Sequence, residues 1–269
     1  LLTMRHFSLS IIDEASQILE PYIIGPFCTT ASDGLESIGR FVLIGDHKQL
    51  PAVVLQSHEE SKVNEPLLNG LDILDCRHSL FQRFLRRYAS NPHVTFMLTR
   101  QGRMHRDIAL FPSRAFYGGR LQPVPLDHQL RELQRQDVGS TCEELNPYIV
   151  LLTTRRVAFI DAPSPTLSLS DKVNDIEAEI IARLVVAAYT VRRTSFSPNT
   201  TVGVIVPYRN QIVTLRNAID KYGIAELHDI TIDTVERYQG SQRDVIIYGF
   251  TVRHRYQLDF LTANDFEED

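Results

Sequence analysis

The sequence predicts an α/β protein whose parallel sheets carry helices on their faces. Two observations predict it. Apolar runs of strand length recur along the chain, several ending in a glycine or a carboxylate, and segments with helical apolar spacing lie between them. Strands alternating with helices build parallel sheets, because a crossover helix must return the chain to the same edge. The 269 residues are 43% hydrophobic and 23% charged, which is enough to bury a core and to form two domains.

Taken in order, "FSLSIIDE" predicts a buried strand ending at Asp13, and "RFVLIGD" a second ending at Asp46. "HVTFMLTRQ" predicts a third, and "IVLLTT" and "VAFID" are further candidates. Residues 174–190 place Ile176, Ile180, Ile181, Leu184, Val185 and Ala188 on one helical face. "TVGVIVPY" and "DVIIYGF" predict two more strands, with a helix over 209–222. Residues 56–79 and 122–147 are polar and proline-containing and are expected as loops. A domain junction is expected near 100–105, which gives domains 1–102 and 103–269.

The net charge is −5, which by itself speaks against nucleic acid. Yet only four of the 28 basic residues are lysine; arginine suits two-pronged phosphate contacts, although a GC-rich genome gives the same bias. Cys28, Cys76 and Cys142 are odd in number and scattered, which fits neither a disulfide framework nor a zinc site and suits a reducing cytoplasm. No apolar run reaches membrane-spanning length. The first residues lack a signal-peptide pattern and an initial Met, so the chain is expected to begin inside a larger protein.

Open parallel sheets bind ligands at the carboxyl ends of their strands, so the residues just after each run matter most. After the first run, "SIIDEAS" places Asp13 beside Glu14. One carboxylate can hold Mg²⁺, largely through water, and the other can polarise an attacking water. The pair also reads as an ordinary acidic helix start. After the second run comes Gly45, then Asp46, His47, Lys48 and Gln49 before Pro51. Gln49 can sense a terminal phosphate without adding charge, although Gly-Asp alone is also a plain turn.

"LTRQGRMHRD" spaces Arg100, Arg103 and Arg106 three apart, a basic stripe if helical and otherwise a solvated face. An arginine that stabilises transferring phosphate contributes about 10³–10⁵ in rate. "VIVPYRNQ" presents Tyr208 and Arg209 after a strand, for a base or a phosphate, or simply ends the strand before a helix. "TVERYQGSQRDVII" sets Gln239, Gln242, Arg243 and Asp244 around Gly240, in a loop between a short strand and a strongly apolar one.

Together these strings resemble the ATP-dependent helicases of superfamily one, subgroup B. That group contains the up-frameshift and senataxin-like RNA helicases and the bacterial DNA-replication-type helicases. Asp13-Glu14-Ala15-Ser16-Gln17 resembles the Walker B motif, and Gly45 to Pro51 the third motif. Gln101-Gly102-Arg103-Met104-His105 resembles the QxRMH box. Pro207-Tyr208 with Gln211 resembles PYxxQ, and Thr234-Val235-Glu236 through Gln239-Gly240 the fifth motif. The resemblance implies two RecA-like P-loop NTPase domains, the first incomplete, using ATP and Mg²⁺ on single-stranded nucleic acid.

By that resemblance Asp13 holds Mg²⁺, Glu14 is the general base, Gln49 senses the γ-phosphate and Arg103 contacts it. Asp46, Gln239, Gly240 and Gln242 would serve the nucleotide, and Pro207, Tyr208, Thr234 and Val235 the strand. It implies DNA in preference to RNA, movement 5′ to 3′, and a cytoplasmic, bacterial-cytosol setting. The GxxxxGK[ST] loop and the last arginine motif are absent, and "FLTANDFEED" looks like the run leading to the latter. This chain alone is therefore expected to hydrolyse almost no ATP. Gly102 stands where many relatives carry an aromatic, and Gln242 where they carry a glutamate. The alternatives are a nucleic-acid-binding scaffold without catalysis, an RNA helicase, or an NTPase of another P-loop family.

Overall fold

The computed structural model describes residues 6–31, 33–133, 143–163, 171–252, 254 and 256–257. They fall into two compact units, one within 1–100 and 114–121, the other within 101–113 and 122–269. Cys142 and the "FLTANDFEED" run lie outside the described residues.

The first unit opens with β1 (Ser10–Ile12), a 3-10 turn at Ala15–Gln17, and α1 (Glu20–Phe27). β2 (Phe41–Leu43) pairs with β1 in parallel, Ser10 opposite Phe41 and Ile12 opposite Leu43. Next come α2 (His58–Ser61), α3 (Pro66–Asn69) and α4 (Leu80–Tyr88). Ser57 with Glu60 and Ser79 with Gln82 close capping boxes on α2 and α4, answering amides that the first turn leaves unpaired. The Phe41 ring meets Phe27 at 4.7 Å and Phe84 at 6.0 Å, which attaches α1 and α4 to β2. Arg83 donates to Glu20 Oε2 at 2.9 Å and to Leu71 O at 2.9 Å. Buried Asp75 accepts from Arg77 and from His58 Nδ1, and those bonds hold its carboxyl well below the usual range despite burial.

After β3 (Arg100–Gln101) come α5 (Arg106–Phe116), β4 (Gln122–Pro123), α6 (Asp127–Leu130) and α7 (Asn146–Thr154). The order then runs α8 (Asp175–Arg192), β5 (Val202–Ile205), α9 (Arg209–Asp220), β6 (Thr231–Asp233), α10 (Val235–Tyr238) and β7 (Val245–Tyr248). The main sheet of the second unit is parallel, in the order β6-β5-β7. Val202, Val204 and Val206 of the central run are fully buried against Ile181 and Val185 of α8 and Leu215 and Ile219 of α9. A strand covered on both faces reads as continuous apolar sequence, and "VGVIV" is that.

The structure departs from the sequence expectations in several places. "IVLLTT" is the body of α7, not a strand, and Tyr148, Leu151 and Leu152 pack on the core at helical spacing. "HVTFMLTRQ" joins a ladder only at Arg100–Gln101, and "VAFID" joins none among the described residues. Val94, Phe96 and Leu98 have the alternation of a strand, but a strand needs a partner edge, and no described strand pairs with them. The arginine stripe does not form: Arg100 lies in β3, Arg103 in a bend, and only Arg106 in α5. Finally, the stretch 56–79 contains α2 and α3, the stretch 122–147 contains β4, α6 and the start of α7, and the polar connection after Thr234 begins with α10.

Candidate functional site

The turn after β1 is built by its own side chains. Asp13 Oδ1 accepts the Glu14 amide at 3.0 Å, and Glu14 takes a left-handed conformation at φ 51°, ψ 34°. That twist ends the strand and starts the 3-10 turn. Both carboxylates stay exposed, while Ala15 and Ser16 are buried beneath them. Gln17 donates its amide to Glu14 Oε2 at 2.9 Å, so the last residue of "DEASQ" steadies the carboxylate of the second.

The loop after β2 is fastened to this turn. Ile44 N donates to Ile12 O and Ala15 N to Ile44 O, each at 2.8 Å. Asp46 N donates to Ser16 Oγ at 3.1 Å. A Cβ on residue 45 would lie 2.8 Å from Ser16 N, so only glycine permits the approach. Asp46 then gathers the loop: Oδ1 accepts from Lys48 N at 3.0 Å, and Oδ2 from Gln49 Nε2 at 3.0 Å and from the Tyr117 hydroxyl at 2.6 Å. Asp13, Glu14, Asp46 and Gln49 thus belong to one connected surface of the first unit.

Sequence reasoning missed Ser16 as a tie and Tyr117 altogether. The signal for Tyr117 was present in "YGGR": Gly118 and Gly119 have φ of 58° and 73°, and Arg120 N donates to Tyr117 O at 3.0 Å. A turn left-handed at both central positions calls for two glycines. Burial, followed by the bond to Asp46, pushes the Tyr117 hydroxyl well above its ordinary pKa, so it remains a donor.

The donor set suits magnesium rather than a metal held by a protein cage. No group of three or more His, Cys, Asp or Glu side chains converges among the described residues. Asp13 offers one exposed carboxylate, half engaged by Glu14 N, and Mg²⁺ keeps most of its waters and takes few protein ligands.

In the second unit the box from Gln101 to His105 folds on itself. Gln101 Oε1 accepts from Arg103 N at 2.9 Å and Met104 N at 2.7 Å, and its amide donates to Met104 O at 2.8 Å. Fully buried Gln129 donates to Gln101 O at 2.9 Å and Met104 O at 3.0 Å, and His128 Nε2 to Gly102 O at 3.0 Å. His105 is buried, its Nδ1 accepting from Asp107 N at 3.2 Å. The backbone is therefore pinned while the Arg103 side chain is exposed. A Cβ on Gly102 would touch only Leu126 Cδ1, at 3.8 Å.

The carboxyl edge of the main sheet gathers Pro207, Tyr208, Thr234 and Val235. Ile205 lies opposite both Asp233 and Tyr248, and Val206 N donates to Asp233 O at 3.1 Å. Pro207, Tyr208, Thr234 and Val235 follow directly on those strand ends. Tyr248, whose hydroxyl is pushed up by burial and by the Glu177, Glu236 and Tyr208 groups, lies at the same edge. Its ring meets Phe250 at 4.9 Å, and Phe250 meets Phe159 at 6.0 Å, edge to face.

Gln211 takes no part in this surface. It is 0% exposed, accepts Asn174 N at 2.8 Å and donates to Asn174 O at 2.9 Å, tying α9 to the start of α8. Gln242 lies toward the opposite edge of the sheet. Neighbouring Arg243 donates to Thr231 Oγ1 at 2.9 Å, and Asp244 N to Thr200 O at 2.9 Å, beside the amino ends of β6 and β5. Gln239 and Gly240 (φ 78°) make the corner between the two edges, and Gln239 Nε2 is buried without a partner among the described residues.

Residues 76–265 match a family model described as an AAA domain, and residues 1–57 match a second model of that description. The DNA replication ATP-dependent helicase/nuclease DNA2 of Xenopus laevis is 29% identical over 261 residues, covering 92% of this chain and 22% of its own length. The DNA replication ATP-dependent helicase/nuclease JHS1 of Arabidopsis thaliana is 32% identical, covering 95% and 17%. Helicase sen1 of Schizosaccharomyces pombe is 30% identical over 244 residues, covering 90% and 12%. The chain spans less than a quarter of the length of each of these three relatives.

Proposed function

Since the chain belongs to the AAA-domain family of superfamily-one helicases, we propose that it forms the hydrolytic and strand-gripping part of an ATP-dependent DNA helicase. The observation that carries this reading is the tie between the Asp13-Glu14 turn and the Gly45–Gln49 loop through Ser16 and Gly45. Phosphoryl transfer needs a metal-holding carboxylate, a group that orients water and a detector of the terminal phosphate. Here all three project from one fastened pair of strand ends.

In this reading residues 1–102 carry the metal and water chemistry, and residues 103–269 carry Arg103 and the strand contacts. Asp13 holds Mg²⁺, which when bound neutralises phosphate charge. Glu14, steadied by Gln17, takes the proton of the attacking water. In the first unit Gln49 serves the γ-phosphate and Asp46 the nucleotide; in the second unit Arg103 serves the phosphate and Gln239, Gly240 and Gln242 the nucleotide. The unpartnered Gln239 amide supports that placement, because a buried donor costs about 1–3 kcal/mol until something accepts from it. Pro207, Tyr208, Thr234 and Val235 border a single strand. The aromatic edge of Tyr248 and Phe250 suits bases of any sequence, and phosphate contacts make such grip salt-sensitive.

The names of DNA2 and JHS1 favour DNA over RNA as the track. No helix among the described residues is long and apolar enough to cross a membrane. The three relatives are eukaryotic, and lend nothing to a bacterial setting.

The test is ATP hydrolysis by the full-length protein, titrated separately with single-stranded DNA and RNA. DNA should stimulate turnover, and Glu14→Gln should abolish hydrolysis while sparing ATP binding. Wild-type turnover in that variant would remove Glu14 from its role. Stimulation by RNA alone would reassign the track.

A further inference from the structure

We propose that Tyr117 is a positioning residue for Gln49, holding Asp46 so that Asp46 aims the Gln49 amide at a terminal phosphate. The inference rests on the proposed role of Gln49 and adds a residue to it. Tyr117 arrives at the loop from 71 positions away in sequence.

The chemistry follows from counting donors. A phosphate oxygen only accepts hydrogen bonds, so Gln49 is useful only when an N–H faces the phosphate. Its side chain is exposed, and an exposed amide rotates readily and can present its oxygen instead. Asp46 prevents this. Its Oδ2 accepts one N–H of Gln49 Nε2 at 3.0 Å, which fixes the direction of the second N–H and turns the amide oxygen away from the carboxylate.

Asp46 can do so only if its carboxylate is held. Lys48 N fixes Oδ1 at 3.0 Å, and the Tyr117 hydroxyl fixes Oδ2 at 2.6 Å, on the oxygen that Gln49 uses. The Gly118–Gly119 turn puts the phenol there, with both glycines at positive φ and open space around each. The hydroxyl stays protonated at working pH because burial and Asp46 push its pKa up. Tyr117 itself reaches Gln49 only through Asp46, so its effect is on aim.

The experiment is a double-mutant cycle in the full-length protein, measuring DNA-stimulated ATP hydrolysis for wild type, Tyr117→Phe, Gln49→Ala and the double variant. Tyr117→Phe keeps the half-buried ring and removes only the donor. Its kcat should fall about ten-fold, a loss typical of a disrupted outer-shell partner. KM for ATP should stay within about two-fold, as for an interaction made in the transition state. The double variant should be no slower than Gln49→Ala, because residues acting through one group are non-additive.

Tyr117→His, which retains a ring N–H, should recover part of the lost kcat. It also serves in the cycle if the phenylalanine variant melts below the assay temperature. Losses that multiply in the double variant would overturn the proposal, as would a wild-type rate in Tyr117→Phe beside a slow Gln49→Ala. A wild-type rate in Gln49→Ala would remove the role of Gln49 itself, and that of Tyr117 with it.

Discussion

Gly45 and Ser16 touch where two strand ends meet: a Cβ on residue 45 would lie 2.8 Å from the Ser16 amide nitrogen and 3.1 Å from its hydroxyl. The same hydroxyl accepts from Asp46 N. Gly45→Ala must therefore push the two loops apart. It should cost about 1–3 kcal/mol, the usual penalty for overpacking, and lower ATP turnover as well. Urea unfolding together with a turnover assay checks this, and full stability in the alanine variant would show that the loops are not in register.

Gln211 should behave as a structural residue even though it stands in a motif-like string. Gln211→Leu keeps much of the volume but leaves the buried Asn174 N without its partner, while Asn174 O keeps the bond from Ala178 N. A loss of about 1–3 kcal/mol is expected, with strand affinity of the folded protein unchanged. Unchanged stability with weakened strand binding would return Gln211 to the binding surface.

Tyr238 and Gly203 give a pair of opposite effects. The Tyr238 hydroxyl occupies the space of a Cβ on residue 203, 1.5 Å from its ideal position, and is buried without a partner among the described residues. Gly203→Ala should displace Tyr238 and α10 at a cost of about 3 kcal/mol. Tyr238→Phe removes an unsatisfied hydroxyl and keeps the ring under Arg243, so it should gain about 1 kcal/mol. Urea midpoints at unchanged slope measure both.

Glu177 predicts a pH dependence. Burial pushes its carboxyl above the ordinary 4.5, outweighing the bonds it accepts from Phe250 N, Thr251 N and Thr251 Oγ1. The folded state therefore holds this proton more tightly than the unfolded chain does. The resulting stability is complete below about pH 4.5 and is lost as the pH rises through the folded value. Glu177→Gln removes that titration, so its melting temperature relative to wild type should climb from pH 4.5 upward and then level off. A difference independent of pH would contradict the burial argument.

β5 was legible because burial on both faces leaves an uninterrupted apolar signature, and β7, α8 and α9 also lie where their own apolar patterns put them. "IVLLTT" was illegible for a physical reason: six apolar and β-branched residues fit a strand or a buried helix turn, and only packing of Leu151 and Leu152 on the core decides. In the site, the strings Asp13-Glu14 and Gly45-Asp46 stand out from their chemistry. Their connection through Ser16 does not, because a serine hydroxyl reveals its partner only in space. Tyr117 was hidden for the same reason, 71 positions from its acceptor.

The left-handed backbone of Glu14 also limits which substitutions there can be read as chemistry. Only a few L-residues tolerate that conformation without a penalty, so exchanging Glu14 for a β-branched side chain would change the chain's direction along with its carboxylate. A rate lost in such a variant would mix geometry with catalysis, whereas glutamine alters one atom and leaves the backbone nearly alone. In directed evolution of this turn, glycine and asparagine are the neighbours through which residue 14 can drift while keeping its shape, and both lack the base.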